Sequence, residues 1–296
     1  METNTVARAI PTLAVMLGAV ATAANPVFVR LSDLDPVASA FHRMLWALPI
    51  VWLWVALERG RAGTRTLSPR VGDRRLLALC GVFFAGDLAC LHWSIELTVA
   101  ANSILFLNLQ PIYVVLGGWL LFRERVTGAF LTGLAVALGG VVLLVWQNLG
   151  SGRLVGDGLG ILAGVCYAGY ILAASRLRVR HSSATVNAWT CLVGAPLLLS
   201  AALLAGSQVL PQSPREWMLM IALGVVCQAC GQGLIVWGLA HLPASFSSLT
   251  LLVAPVAATL FAWTLLGESL GALQVAGMVV VLTGIQLAWR GSPPAR

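Results

Sequence analysis

Long apolar runs separated by short polar segments cover nearly the whole chain. A helix needs about twenty consecutive, mostly apolar residues to cross a bilayer, and these runs have that length. They predict ten membrane-spanning helices, numbered here as spans 1 to 10, over residues 9–29, 37–57, 76–97, 100–121, 127–146, 156–175, 186–206, 217–239, 245–266 and 271–289. The pattern therefore predicts an all-α polytopic membrane protein.

The second half of the chain repeats the first at an offset of 144 residues. Leu and Ala coincide often by chance in so apolar a chain, but Trp, Pro and Glu do not. The matched pairs are Trp93 with Trp237, Pro111 with Pro255, Trp119 with Trp263, Glu124 with Glu268, Gly133 with Gly277 and Gly140 with Gly284. The repeat predicts two five-span units, residues 1–148 and 149–296. Because five is odd, the second unit must insert upside down, as in transporters built from inverted repeats.

Composition excludes an ordinary soluble domain. Hydrophobic residues make up 59% of the chain and charged residues 10%, whereas soluble domains are about a quarter charged. The net charge of +7 would indicate nucleic acid in a soluble chain, but the arginines here lie between apolar runs, so no nucleic-acid partner is expected. The six cysteines lie inside apolar runs and are interpreted as small hydrophobic residues. The single C-x-x-C of Cys227 and Cys230 is weak evidence for a metal, and neither metal nor cofactor is expected.

The arginines predict the orientation in the membrane. Arg8, the following apolar run and the A-x-A at residues 21–23 resemble a cleaved signal peptide, but span 6 occupies the same place in the second repeat, so span 1 is kept. Arginine favours the cytoplasmic side. With the N-terminus inside, fourteen arginines lie in inner segments, Arg43 lies within a span, and the outer loops hold three, Arg30, Arg153 and Arg215. Both termini are therefore predicted to be cytoplasmic.

Span 3 carries the most conspicuous polar residues, Asp87, His92, Trp93 and Glu96. An acidic residue at the centre of a membrane helix costs about 2.5–3.5 kcal/mol, so it is rare without a function or a partner. Asp87 is predicted to lie near the midplane and to bind a proton or a substrate amine. His92 is a further candidate substrate contact. It shares a helix face with Glu96, but two residues of one helix make a poor metal site.

Arg43 is predicted to lie well inside span 2, at a depth close to that of Asp87. Three interpretations stay open: a structural bridge to Asp87, recognition of a substrate carboxylate by the guanidinium fork, or snorkelling to the surface.

In span 8, Gln228 and Gln232 share one face, and Gly231 takes the position that Asp87 holds in the first repeat. Both glutamines are candidate substrate contacts, and so are the aromatic rings of Trp93 and Trp237.

The prolines of spans 4 and 9, Pro111 and Pro255, lie mid-span and predict a bend in each helix, because proline removes a backbone hydrogen bond. Carbonyls freed in this way must face protein or a wet cavity. Three polar residues of span 4 are either site residues or helix–helix contacts, namely Asn102, Asn108 and Gln110. Glu124 and Glu268 each precede a new helix, where a carboxylate is favoured as a helix cap; the alternative is a substrate or proton role.

The chain resembles the drug/metabolite transporter superfamily, and within it the EamA-type family. The resemblance covers nearly the whole chain and rests on four segments and on the glutamate that follows spans 4 and 9. The segments are P-V-F-V-R-L (Pro26–Leu31), A-F-H-R (Ala40–Arg43), G-D-L-A-C-L-H-W-S-I (Gly86–Ile95) and A-N-x-x-x-x-x-N-L-Q-P (Ala101–Pro111). The resemblance implies export of small metabolites, such as amino acids, from the bacterial cytoplasm, through a cavity lined by spans 3, 4, 8 and 9.

Together these observations predict an inner-membrane exporter that works by alternating access, with a small molecule as substrate, the lipid bilayer as surroundings and protons as a candidate coupling ion. Efflux of drugs or toxic compounds and metabolite uptake are alternatives on the same fold. A membrane-embedded enzyme is disfavoured because no catalytic motif occurs. A passive channel would typically show a pore ring and oligomeric symmetry rather than an internal inverted repeat.

Overall fold

The computed structural model describes residues 2–62 and 71–291, so Arg65, Arg70 and Arg296 of the inner arginines lie outside the described residues. Within those residues all regular structure is helical, without strands. Ten segments are long and apolar enough to span a membrane: Arg8–Arg30, Pro36–Gly60, Val71–Leu97, Ala100–Phe122, Gly128–Asn148, Leu154–Leu177, Ser183–Leu204, Pro214–Gly238, Ala244–Leu266 and Ala272–Gly291. The predicted number and order of spans are confirmed. The chain is an all-α, multi-pass membrane protein.

Six spans are continuous α-helices: Pro36–Ala62, Val71–Leu97, Gly128–Val145, Leu154–Leu177, Ser183–Leu204 and Ala272–Gly291. A single 3₁₀ turn, Trp146–Asn148, extends span 5. The remaining four spans are interrupted. Span 1 consists of Glu2–Ala23 and Asn25–Arg30, span 4 of Ala100–Asn108 and Gln110–Phe122, and span 9 of Ala244–Thr250 and Val253–Leu266. Span 8 runs as Pro214–Leu223, a π-helical stretch Gly224–Gln232, and Gly233–Gly238.

Proline explains three of the four interruptions. Pro26, Pro111 and Pro255 each lie in the first turn of the helix that follows the break, where a missing N–H does no harm. Helix breaks therefore precede Pro111 and Pro255, the two residues at which the sequence predicts bends. The π-helical stretch of span 8 contains no proline, and the sequence analysis missed it.

The main contacts between spans are symmetric: each of them has a counterpart between the two spans that lie five places away along the chain. Span 2 packs on span 7, and span 5 packs on span 10. Span 3 packs on spans 6 and 7, while span 8 packs on spans 1 and 2. Span 4 packs on span 6, while span 9 packs on span 1. This symmetry of contacts agrees with the repeat in the sequence.

Spans 5 and 10 cross at four glycines that the repeat relates in pairs: Gly133, Gly140, Gly277 and Gly284. A Cβ atom added to Gly140 would lie 2.5 Å from the backbone nitrogen of Val281, and one added to Gly284 would lie 2.3 Å from that of Ala137. Small residues let membrane helices approach this closely. The repeated glycines therefore set the distance between the two halves along this crossing.

Candidate functional site

A buried polar cluster joins spans of both halves, and Arg43 of span 2 lies within it. Arg43 is only 5% exposed, and its Nε donates to Oε1 of Gln228, on span 8, at 3.0 Å. The guanidinium carbon lies 5.4 Å from the ring centre of Phe84 on span 3. Burial excludes the snorkelling interpretation, because the charged group stays in the interior rather than reaching the membrane surface.

Asn187 of span 7 fixes the orientation of Gln228. The two side chains are joined twice: Nε2 of Gln228 donates to Oδ1 of Asn187 at 3.0 Å, and Nδ2 of Asn187 donates to the backbone carbonyl of Gln228 at 3.0 Å. Since the amide nitrogen of Gln228 faces Asn187, its oxygen faces Arg43. Asn187 was not predicted from the sequence, although a lone amide in an otherwise apolar span was a usable signal.

Asp87 lies close to Arg43 but is not bridged to it. The carboxyl group is 5% exposed, and its Oδ1 makes no hydrogen bond to any described residue. Arg43 acts on Asp87 electrostatically, yet no salt bridge joins the two within the described part of the chain. Of the three open interpretations of Arg43, the structural bridge to Asp87 is therefore not formed among the described residues. A buried cation and a buried carboxyl therefore interact electrostatically without a salt bridge, which leaves each able to bind another group.

Aromatic rings of spans 3 and 6 form one wall of this cluster. The rings of Phe84 and Tyr170 lie 4.8 Å apart, and Tyr167 stacks on Tyr170 at 5.9 Å. Gln232 lies beside both tyrosines. Its Nε2 and the Tyr170 hydroxyl are buried without a hydrogen-bond partner among the described residues. Both predicted glutamines of span 8 thus reach the cluster, whereas the two tyrosines were missed.

The two candidate tryptophans lie elsewhere, which corrects the prediction that they line the site. Trp93 packs against a small cluster formed by Val37, Ala38 and Ala202 of spans 2 and 7. It follows Asp87 by six residues, which places it about 240° around the helix and on another face. Trp237 packs against His241 at the end of span 8, with ring centres 4.5 Å apart.

His92 lies within electrostatic reach of the cluster, whereas the asparagines of span 4 have separate surroundings. His92 is 6% exposed and interacts electrostatically with Arg43. Asn108 donates to the carbonyl of Ile104 in its own helix at 2.8 Å, and Asn102 bonds the segment between the two halves. These two asparagines therefore make structural contacts. Gln110 is buried, and its Oε1 has no partner among the described residues.

The repeated glutamates form ion pairs between the halves. Glu124 pairs with Arg176 at 4.0 Å, and Arg176 also stacks on Phe122 at 3.5 Å. At the other end of the molecule, Glu268 pairs with Arg30. All four charged side chains are at least 40% exposed. The two pairs are related by the repeat.

Other residues cap the helices that follow these glutamates. Thr127 caps span 5 by accepting from the backbone nitrogen of Phe130 at 3.1 Å. At span 10, the side chain of Gln274 accepts from the nitrogen of Gly271 at 2.9 Å. The predicted capping role of Glu124 and Glu268 is therefore corrected to inter-half ion pairing.

The described residues contain no group of three His, Cys, Asp or Glu side chains placed to hold a metal ion. In the C-x-x-C, Cys227 is buried and Cys230 is exposed, and both are free thiols. The cluster around Arg43 thus offers charge, amides, hydroxyls and aromatic faces, which is the chemistry of non-covalent recognition of a small molecule.

Comparison with known sequences decides the family. The profile of the EamA-like transporter family matches this chain twice, over residues 9–146 and 154–290. The chain belongs to the EamA-like transporter family. One relative of this EamA-like protein is a transporter from Archaeoglobus fulgidus, 27% identical over 88% of this chain and 91% of the relative.

Two further relatives carry names that specify what they export. The pseudopaline exporter CntI of Pseudomonas aeruginosa is 27% identical over 70% of this chain and 72% of its own. A probable terminal-alkyne amino-acid exporter of Streptantibioticus cattleyicolor is 26% identical over 81% and 80%. A solved crystal structure superposes on 96% of this chain and 97% of its own, with a TM-score of 0.78 at 20% identity. That likeness shows the shared fold.

Proposed function

We propose that this EamA-like transporter exports a small zwitterionic metabolite, an amino acid or a related compound, by alternating access. The observation that carries the proposal is the unbridged proximity of Arg43 and Asp87, both buried where spans of the two halves meet. Inverted-repeat transporters bind substrate at such a junction and open it alternately to each side. The names of the exporters among the relatives support export of this substrate class.

Each group of the cluster has a role in this proposal. Arg43 binds the substrate carboxylate through the guanidinium nitrogens other than Nε, which already donates to Gln228. Asp87 binds the substrate amine or, in the empty transporter, a proton. Phe84 and Tyr170 provide an apolar face for the rest of the substrate. Proton coupling follows if Asp87 exchanges its proton for the substrate amine during each cycle.

The orientation is part of the proposal: a bacterial inner membrane, with both termini in the cytoplasm. The arginine distribution supports it. The ion pair of Glu124 with Arg176 adds that the ends of spans 4 and 6 lie on one side of the membrane, as this topology requires. Likewise, the pair of Arg30 with Glu268 places the ends of spans 1 and 9 together on the opposite side.

Metabolite profiling of the culture medium tests export. Cells producing the wild type, Asp87→Asn, Arg43→Gln or no transporter are compared, with Glu96→Gln as the matched control. Glu96 is an exposed carboxylate on the same helix as Asp87. We expect one or more zwitterionic compounds to accumulate outside cells with the wild type and Glu96→Gln only. Equal accumulation with Asp87→Asn and Arg43→Gln would remove both residues from the substrate site.

A separate transport experiment in vesicles tests proton coupling. In vesicles loaded with the compound found by profiling, transport by the wild type should respond to an imposed pH gradient. Asp87→Asn removes the titratable group while keeping the side-chain volume, so the residual transport should no longer respond. Full pH-gradient dependence in Asp87→Asn would exclude Asp87 as the coupling group.

Efflux of aromatic drugs is the second candidate, because the three rings of Phe84, Tyr167 and Tyr170 lie together in the cluster. It predicts that cells producing the transporter tolerate higher concentrations of such compounds. It also predicts that Phe84→Ala abolishes this tolerance, whereas Arg43→Gln preserves it. The zwitterion proposal predicts that both substitutions stop transport.

A further inference from the structure

Hydrogen bonds tie the corner between spans 3 and 4 to the segment that connects the two halves. Thr98 Oγ1 donates to Oδ1 of Asp157 at 2.8 Å and accepts from the backbone nitrogen of Arg153 at 3.1 Å. Asn102 donates to the carbonyl of Gly150 at 3.2 Å and accepts from its nitrogen at 3.4 Å. Every one of these bonds joins the first half to the segment after span 5 or to span 6.

A second, deeper layer lies beneath these bonds. The hydroxyl oxygens of Ser94 and Ser103 are 2.7 Å apart, and Ser94 Oγ lies 2.7 Å from the carbonyl of Gly156 on span 6. Both serines are fully buried. We call the side chains of Ser94, Thr98, Asn102 and Ser103, with their partners at Gly150, Arg153, Gly156 and Asp157, the corner latch.

The repeat provides an internal comparison, because the corner between spans 8 and 9 is the counterpart at the opposite end. At the offset of 144, the four side chains of the latch correspond to Gly238, Leu242, Phe246 and Ser247. Three of these residues cannot form side-chain hydrogen bonds. The fourth, Ser247, keeps its hydroxyl but has no partner among the described residues. One corner is fastened by polar side chains and its counterpart is not.

The packing at the unfastened corner agrees with this comparison. Gly238 faces the carbonyl of Pro11 on span 1, in the way that Ser94 faces that of Gly156 on span 6. Phe246, the counterpart of Asn102, lines a groove of about 400 Å³ between spans 1, 9 and 10, together with Leu13 and Trp289. The counterparts of the latch residues therefore pack through apolar and backbone contacts, without side-chain hydrogen bonds among the described residues.

Other contacts between the halves occur at both ends and do not remove the asymmetry. The ion pairs of Glu124 and Glu268 are related by the repeat. Asp73 of span 3 lies 3.3 Å from His181 at one end, and Asp35 accepts from the nitrogen of Gln208 at 3.2 Å at the other. Thr127 of span 5 also donates to the carbonyl of Gly291 on span 10, a bond that its counterpart Gly271 cannot form. Among the described residues, the corner of spans 3, 4 and 6 nevertheless carries the larger set of unrepeated side-chain hydrogen bonds.

We propose that the corner latch fastens the outer gate of the transporter, and that breaking it opens a path from the outside to Asp87. The assignment to the outer side rests on the proposed topology, in which span 3 ends and span 6 begins outside. It does not depend on which compound is transported. The asymmetry favours the state closed to the outside, because that state alone gains the hydrogen bonds of the latch.

Cys90 is a natural reporter for this gate. It lies on span 3 one turn before Ser94 and three residues after Asp87, which places it directly beneath the latch on the way to the cluster. Its side chain is half-buried and its thiol is free. A charged thiol reagent that cannot cross the membrane should reach Cys90 from outside only when the latch is open.

The experiment measures the rate at which a sulfonated maleimide modifies Cys90, mapped by mass spectrometry, in right-side-out and inside-out vesicles. Thr98→Val and Asn102→Leu each remove latch bonds while keeping the side-chain size. Ser103→Ala and Ser247→Ala form a matched pair, since the same hydroxyl is removed from a bonded and an unbonded counterpart. Losing one net hydrogen bond shifts an equilibrium roughly two- to tenfold. Combining Thr98→Val with Asn102→Leu should therefore speed labelling about tenfold or more.

The expected result is faster labelling in right-side-out vesicles for the Thr98, Asn102 and Ser103 variants, and an unchanged rate for Ser247→Ala. Unchanged labelling in the double variant, with an unaltered melting temperature, overturns the latch. Equal acceleration in both kinds of vesicle indicates general loosening and also overturns it. Acceleration in inside-out vesicles alone overturns the outer assignment. Because no substrate is added, each outcome is independent of the metabolite profiling.

Discussion

One methyl group added to span 5 tests the close crossing of the two halves. In Gly140→Ala, the new Cβ would lie 2.5 Å from the nitrogen of Val281 and 2.9 Å from the carbonyl oxygen of Gly277. Both are backbone atoms and cannot rotate away. Heavy atoms at rest are about 3.5 Å apart or more, so the two helices would have to separate by about 1 Å. The neighbouring Gly139 has nothing within 4 Å of its added Cβ and provides a matched control.

The two alanine substitutions should change stability in opposite directions. Overpacking a tight contact typically costs about 1–3 kcal/mol, which Gly140→Ala would suffer. Gly139→Ala meets no neighbour and gains helix propensity of up to about 1 kcal/mol. The free energies of unfolding of the two variants should therefore differ by about 1–4 kcal/mol.

Thermal unfolding of the purified protein in detergent, followed by tryptophan fluorescence, compares the two variants directly. We expect Gly140→Ala to melt below the wild type and Gly139→Ala to melt at or above it. Gly284→Ala, whose Cβ would lie 2.3 Å from the nitrogen of Ala137, should behave as Gly140→Ala does. Equal melting temperatures for Gly139→Ala and Gly140→Ala would refute the argument that glycine is required at the crossing.

Two further substitutions test contacts within and around the site. Asn187→Leu leaves the buried amide and the carbonyl of Gln228 without their partner, so the free energy of unfolding should fall by about 1–3 kcal/mol; a melting temperature equal to that of the wild type would contradict this. Glu268→Gln breaks an exposed ion pair with Arg30, worth less than about 1 kcal/mol. The loss should appear in low salt and disappear in high salt, and a large loss in both conditions would show that the pair is not simply electrostatic.

Much of the frame could be predicted from the sequence, because the physics of the bilayer is local. A run of about twenty apolar residues suffices for a span, and all ten were found. The observed ends of the spans differ from the predicted ends where polar residues continue a helix. Span 3, for example, begins at Val71 rather than at residue 76. Proline gave the breaks of spans 4 and 9 but is not decisive alone, since Pro49 and Pro196 lie within continuous helices.

The site was harder to predict because it depends on which helices touch. A buried charge in an apolar span is visible in the sequence, and Arg43 and Asp87 were found in this way. The partner of such a charge is not visible. The pairing of Arg43 with Gln228 follows from the packing of span 2 on span 8, which no local pattern encodes. For the same reason Trp93, next to polar residues in sequence, was assigned to the site although it packs on spans 2 and 7.

The residues that the repeat conserves between the halves and those that it does not have different roles. The repeated ones, such as Gly140 and Gly284, build the close crossing of spans 5 and 10. In the proposed alternating-access cycle, either side of such a frame opens with similar energy, because the two halves exchange roles. The unrepeated ones break that equivalence: Asp87 faces a cluster where its counterpart is Gly231, and Asn102 is bonded where Phe246 is not. In a nearly symmetric frame, a difference of about 1.4 kcal/mol changes the ratio of the two states tenfold. In the proposed alternating-access cycle, a few unrepeated hydrogen bonds are therefore enough to set the side to which the empty transporter is closed.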